Sequence, residues 1–260
     1  FCPTSIDHTV TVNNAPNIMA SADITVCTGQ SANISASGGS TYSWNNGAGT
    51  GVNVSVSPAT NTTYTVTGTD ANGCTNTDEV VVSVSAPPTI TTSADVAICS
   101  GTSTLISASG ASSYTWDNGA GTGSAVTVSP TSSTAYTVTG TDMNGCTATE
   151  DVIVTVNPSP AVAISGATEV CNGNSVTLNA SGASNYSWSG GLGTSNSVSV
   201  SPTTNTTYTL TGTNANGCES IVTHTVTVNP MPAVSAGNDI AICQGQSTTL
   251  TGSGGDTYVW

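Results

Sequence analysis

Lysine and arginine are absent from all 260 residues, while aspartate and glutamate number 14, for a formal charge of −14. A chain without permanent cations cannot neutralise phosphates, which excludes nucleic acid as a partner. Anionic membrane surfaces are excluded on the same ground. Trypsin finds no residue to cut after, and no lysine amine is present for an intramolecular isopeptide cross-link. No apolar run approaches the ~18–20 residues of a membrane span, and no signal peptide opens the chain. No window carries helical apolar spacing behind a capping residue. Phenylalanine is nearly missing, with a single copy.

Catalytic groups are scarce as well. Only His8 and His224 could act as a general base near neutral pH. They stand 216 residues apart at one repeat position, which Val80 and Val152 fill elsewhere, so tolerated substitution is the simpler reading. There is no G-x-S-x-G elbow, no Ser/His/Asp set within a repeat, and no recurring pair of carboxylates. The sequence reads as non-enzymatic, with no catalytic residue and no cofactor.

What is there is periodic. Cys27, Cys99, Cys171 and Cys243 are each 72 residues apart, and so are Cys2, Cys74, Cys146 and Cys218. Trp44, Trp116, Trp188 and Trp260 keep the period, with a Tyr two residues before each. Pro16, Pro88, Pro160 and Pro232 mark unit starts, and no insertion breaks the spacing. A fixed period of this kind signals a repeat architecture. The expected organisation is the last strand of a preceding repeat (1–15), three whole repeats (16–87, 88–159, 160–231) and the first half of a following one (232–260). On this reading the chain is a middle piece of a longer protein.

Within a repeat, β-branched residues alternate with polar ones, which favours strands. Ala20–Val26 reads as a first strand, Ala32–Ala36 as a second and Thr41–Trp44 as a third. A Gly-rich loop (46–51) precedes a strand through Val52, Val54 and Val56, which Pro58 stops. Tyr64–Thr69 and Val80–Val84 flank an Asp70-Ala71-Asn72-Gly73 hairpin turn, where glycine supplies positive φ. About seven short strands around a Trp indicate an all-β fold: a tandem array of small antiparallel sandwiches, with Trp44, Trp116, Trp188 and Trp260 as core anchors.

The run Cys27-Thr-Gly-Gln-Ser, then Tyr42-Ser-Trp44, Thr62-Thr-Tyr64-Thr-Val-Thr-Gly-Thr-Asp70 and Asn72-Gly-Cys74, resembles the PKD-like and Ig-like repeats of Bacteroidota surface proteins. Giant gliding-motility adhesins of the SprB type carry many such repeats. The resemblance covers nearly the whole chain and implies export by the type IX route, with display at the extracellular outer surface. Phe1 departs from it, standing where Gly73, Gly145 and Gly217 stand in the other repeats.

Eight cysteines without CxxC pairs or neighbouring histidines point to disulfides in an oxidising setting rather than zinc. Two pairings are open. Bonds within a repeat would be Cys27–Cys74, Cys99–Cys146 and Cys171–Cys218. Bonds between repeats would be Cys27–Cys146 and Cys99–Cys218, leaving Cys2, Cys74, Cys171 and Cys243 for repeats outside this chain. Strand geometry favours the second, because strand 64–70 spaces Cys27 and Cys74 by roughly 20 Å at ~3.3 Å per residue. A disulfide allows its Cα atoms no more than ~7 Å.

Calcium is the one metal with candidate ligands: Asp70 and Asp142 beside Asn-Gly turns, and Asp23 and Asp95 near repeat starts. Asn214 and Ala167 replace them in the third repeat, and turn-capping is the plainer reading. Asn33, Asn53, Asn61, Asn179, Asn185 and Asn205 begin N-x-[ST] triplets, expected by chance in a chain this rich in Ser and Thr. Tyr42 and Trp44 alternate along one strand and are expected in the core, leaving no exposed sugar platform. The leading function is a stalk or fibre of a cell-surface adhesin, with neighbouring repeats as partners and possible lateral association. A polysaccharide-binding array and a linker of a secreted hydrolase are the alternatives.

Overall fold

The computed structural model describes Thr4 and residues 6–260; Phe1, Cys2, Pro3 and Ser5 lie outside the described residues, and with them the expectations placed on Phe1 and Cys2. The first repeat builds eight strands: β1 (Met19–Ala20), β2 (Ile24–Cys27), β3 (Ala32–Ser37), β4 (Thr41–Trp44), β5 (Gly49–Thr50), β6 (Asn53–Val56), β7 (Thr62–Thr69) and β8 (Thr75–Ser85). They form two sheets, ordered β1-β3-β6 and β2-β8-β7-β4-β5. This is an immunoglobulin-like strand order.

The second repeat repeats it with β9 (Thr91–Thr92), β10 (Val96–Cys99), β11 (Thr104–Ser109), β12 (Ser113–Trp116), β13 (Gly121–Thr122), β14 (Ala125–Val128), β15 (Thr134–Thr141) and β16 (Thr147–Asn157). In the third come β17 (Ala163–Ser165), β18 (Glu169–Cys171), β19 (Val176–Ser181), β20 (Asn185–Trp188), β21 (Ser197–Val200), β22 (Thr206–Thr213) and β23 (Glu219–Asn229). A short 3-10 turn, Ser189–Gly191, stands there in place of the small strand that follows the Trp strand elsewhere. By its contacts the described chain forms two units, the residues up to Ile98 with Thr102–Thr155, and Cys99–Gly101 with Val156–Trp260.

Alternation makes the core. Ala32, Ile34 and Ala36 of β3 point inward, as do Tyr64 and Val66 of β7 and Val80 and Val82 of β8, and all pack with Trp44. Trp44, Trp116 and Trp188 are 5%, 3% and 5% exposed. Each indole N–H donates to a backbone carbonyl seven residues on: Gly51 at 3.1 Å, Gly123 at 3.0 Å and Ser195 at 2.9 Å. The ring is buried without orphaning its one polar atom. The Tyr two residues earlier closes its own corner. Tyr42 Oη accepts from Gly39 N–H (2.7 Å) and donates to Gly39 O (2.8 Å), a pattern that Tyr114 and Tyr186 repeat with Ala111 and Ala183.

Three expectations differ from the structure. The first strand, expected over Ala20–Val26, is two: β1 pairs antiparallel with β3, and β2 pairs in parallel with β8. Side-chain carboxylates hold the switch of sheets, since Asp23 Oδ1 accepts from the Val81 N–H at 2.8 Å and Asp78 Oδ2 accepts from the Ala20 N–H at 2.7 Å. Among described residues 4 and 6–15 there is no strand, and Ile6, Val10 and Val12 are exposed. Their counterparts in β8 are held by β7 and β2. Residues 232–260 hold one isolated bridge, Ser235 to Ser253, and Trp260 is 67% exposed rather than a core anchor. Trp44, by contrast, is covered by residues of β6, β7 and β8.

Two glycine positions fix how tightly the sheets close. Gly38, Gly110 and Gly182 adopt φ of 91°, 102° and 90°, and a Cβ there would strike the carbonyl oxygens of Asn17, Thr89 and Ala161. Gly68, Gly140 and Gly212 face inward, where a Cβ would strike Ile18, Ile90 and Val162. Gly140→Val is therefore expected to lower stability by about 1–3 kcal/mol, through overpacking against Ile90 and Ala111. Urea unfolding followed by Trp fluorescence measures this, and an unchanged midpoint would contradict the packing described.

Candidate functional site

The features that recur with chemistry attached are the two repeat junctions. At the first, the parallel register pairs Cys27 with Ser85, so β2 ends beside the end of β8. Thr28 N–H donates to Ser85 O at 2.9 Å and fixes that end. The other partner is the turn between β15 and β16. Asp142 Oδ1 accepts from the N–H groups of Asn144 and Cys146, both at 2.8 Å, which curls the turn and aims Cys146. Gly145, at φ 82°, completes it. Cys146 Sγ lies 3.9 Å from Ser85 O, and Asn144 Nδ2 donates to Ser85 Oγ at 2.9 Å. Cys27 and Cys146 are bonded, with Cα atoms 5.5 Å apart and a sequence separation of 119.

The second junction is built the same way. Ser100 N–H donates to Asn157 O at 2.9 Å. Asn214 Oδ1 accepts from Asn216 and Cys218 N–H, both at 3.0 Å, and Asn214 Nδ2 donates to Pro158 O at 2.9 Å. Cys218 Sγ lies 3.9 Å from Asn157 O, and Cys99 is bonded to Cys218 with the same Cα separation of 5.5 Å. Cys146 and Cys218 are 1% and 0% exposed, so each hairpin cysteine is enclosed.

These bonds remove the within-repeat alternative. Cys27–Cys74, Cys99–Cys146 and Cys171–Cys218 each need a cysteine that already has another partner. Cys74, Cys171 and Cys243 carry free thiols. Cys74 occupies the hairpin position of the first repeat, with Sγ 3.9 Å from Asn13 O. Two disulfides place the chain in an oxidising compartment rather than a reducing cytosol.

The four aspartates considered for calcium are not brought together. Asp70 repeats the work of Asp142, accepting from Asn72 and Cys74 N–H at 2.8 Å each. Asp23 and Asp95 accept from Val81 and Ile153 N–H, both at 2.8 Å. Among the described residues no three His, Cys, Asp or Glu side chains are placed to share an ion. An amide oxygen serves equally at Asn214, which explains why a carboxylate is dispensable there. His224 Nε2 lies 3.2 Å from Ala167 O, and His8 is exposed.

Some acceptors had no signal in the sequence beyond position. Asn61 and Asn205, which begin N-x-[ST] triplets, hold the backbone N–H of Val84 and Val228 through Oδ1 at 2.7 and 2.8 Å. Asn45, Asp117 and Ser189 share one repeat position and accept the N–H of Thr65, Thr137 and Thr209. Asp78 carries no such signal either. Hydrogen bonds from the backbone N–H groups of Ala20 and Glu79 hold its carboxyl below the usual carboxylate range.

No protein-family profile matches the chain, and no curated protein does. Among solved structures, Sidekick-1 immunoglobulin domains 1–4 align over 82% of this chain and 76% of theirs, at 14% identity and a TM-score of 0.30. A Ca2+-stabilized adhesin with which an Antarctic bacterium binds ice aligns over 86% and 77%, at 15% identity and 0.38. A 1.5-MDa bacterial ice-binding adhesin aligns over 85% and 100%, at 16% identity and 0.32. Superpositions this loose carry no argument, and the fold assignment rests on strand order.

The lowered Asp78 carboxyl sets a pH dependence. A depressed folded-state value contributes stability that is present above the unfolded value, about pH 4, and lost as pH falls through the folded one. Thermal melts from neutral to acid pH are expected to drop more steeply in the native chain than in Asp78→Asn, whose amide oxygen can still accept from Ala20. Parallel profiles would contradict a contribution from this contact.

Proposed function

We propose that the chain is a structural repeat segment, a stalk or fibre, of a secreted adhesin displayed on a bacterial outer surface. The observation that carries this is the junction. A turn-aimed, enclosed cysteine is bonded to the first-turn cysteine of the preceding repeat, twice, at one spacing of 119 residues. Side chains at the repeat starts and turns are engaged in capping backbone groups, which is the chemistry of a scaffold. Resemblance to Bacteroidota repeats supports type IX export, with gliding-type adhesins as the specific class. The ligand of such a protein belongs to regions outside this sequence, and sideways association of several chains would make a filament.

A second reading has one observation in its favour. A shallow polar hollow over Tyr64, edged by Asn46, Gly47, Ser55 and Ser57, recurs over Tyr136 with Asn118, Gly119, Thr127 and Ser129. Repeated weak sites of that kind could grip a polysaccharide through avidity. A hydrolase linker is the third possibility, decided by which domains adjoin the repeats. Small-angle scattering and a glycan array on the purified chain separate the first two. The stalk reading expects an elongated scattering profile and a blank array. A compact profile, or saturable glycan binding abolished by Tyr64→Phe with Tyr136→Phe, would overturn it.

A further inference from the structure

The order of the four bonded cysteines along the chain is Cys27, Cys99, Cys146, Cys218, and the bonds join first to third and second to fourth. The two loops therefore interleave rather than nest or follow one another. We infer that this interleaving makes the linkers between repeats covalently redundant and, in the unfolded chain, relieves them of tension. The inference goes beyond the stalk reading, because it depends on connectivity alone and not on what the protein adheres to.

Every peptide bond between Cys27 and Cys218 is spanned by at least one disulfide, and those between Cys99 and Cys146 by both. A single break anywhere in that range leaves the chain in one piece. Once all three repeats are unfolded, tension follows the shortest covalent route, which leaves Cys27 for Cys146, runs backward through the second repeat to Cys99, and crosses to Cys218. That route excludes the linker at Pro87-Pro88, the linker at Pro158-Ser159-Pro160, and strand β16. It contains the stretch from Cys99 to Cys146, about 160 Å when fully drawn out, against about 650 Å for the reduced stretch from Cys27 to Cys218. An unfolded second repeat would thus lengthen the chain by a fraction of its contour.

The absence of Lys and Arg allows a direct test. Thr89, Ala161 and Ala233 share one repeat position, are exposed, and are followed by residues that trypsin accepts (Ile90, Val162, Val234). Thr89→Lys, Ala161→Lys and Ala233→Lys each create one cleavage site in an otherwise uncleavable chain. Each variant is purified oxidised, its free thiols are blocked, and it is digested in denaturant so that folding does not shield the site. The reduced lane shows that the cut is complete. The first two variants are expected to run as one species without reductant and as two with it. Ala233→Lys, which no bond in this chain spans, is expected to give two species in both lanes. Separation of the Thr89→Lys or Ala161→Lys halves without reductant would overturn the inference. Within-repeat bonds would give that result.

Discussion

The parallel pairing of β2 with β8, in the register that sets Cys27 beside Ser85, is the constraint on which the junctions depend. It brings the end of an early strand to the place where the chain leaves the sandwich. The first-turn cysteine then sits beside the linker instead of facing its own hairpin. The next repeat's hairpin cysteine approaches the same carbonyl, and a disulfide closes between the two repeats. Antiparallel pairing alone would have left the first strand entirely in the β1-β3-β6 sheet and Cys27 remote from the exit strand. The switch of sheets at Asp23 is therefore a precondition of the cross-repeat bond.

The missing cations shape the rest. With no Lys or Arg to pair with, the carboxylates serve as acceptors for backbone N–H groups, at Asp23, Asp70, Asp78, Asp95, Asp117 and Asp142. Asn and Ser replace them at equivalent positions because a neutral oxygen caps a turn or a strand end nearly as well. Small loops are thus held by short-range acceptors, while each core is held by one Trp and a set of β-branched residues. Repeats of ~72 residues bury little, so a covalent link across each junction adds what the cores lack.

The alternation of Ala32-Ile34-Ala36 and of Tyr64-Val66, and the fixed spacing of Trp and Cys, were readable directly, since period-two patterning shows which face is buried. The split of the first strand was not. It depends on Asp23 meeting the Val81 N–H, a partner 58 residues away that no local pattern marks. The same limit bears on the four aspartates, because spacing along a chain does not say whether oxygens converge. Trp260 has the right local sequence, and Tyr258 even accepts the Gly255 N–H at 2.7 Å as its counterparts do. Its burial needs strands that come later in a repeat, and local sequence carries no information about them.

The central claim is the covalent joining of successive repeats, and peptide mapping of the oxidised chain tests it most directly. A protease that cuts at acidic residues, used at low pH with thiols blocked, should release one linked pair containing Cys27 and Cys146 and another containing Cys99 and Cys218. A linked pair containing Cys27 and Cys74, or Cys99 and Cys146, would contradict it.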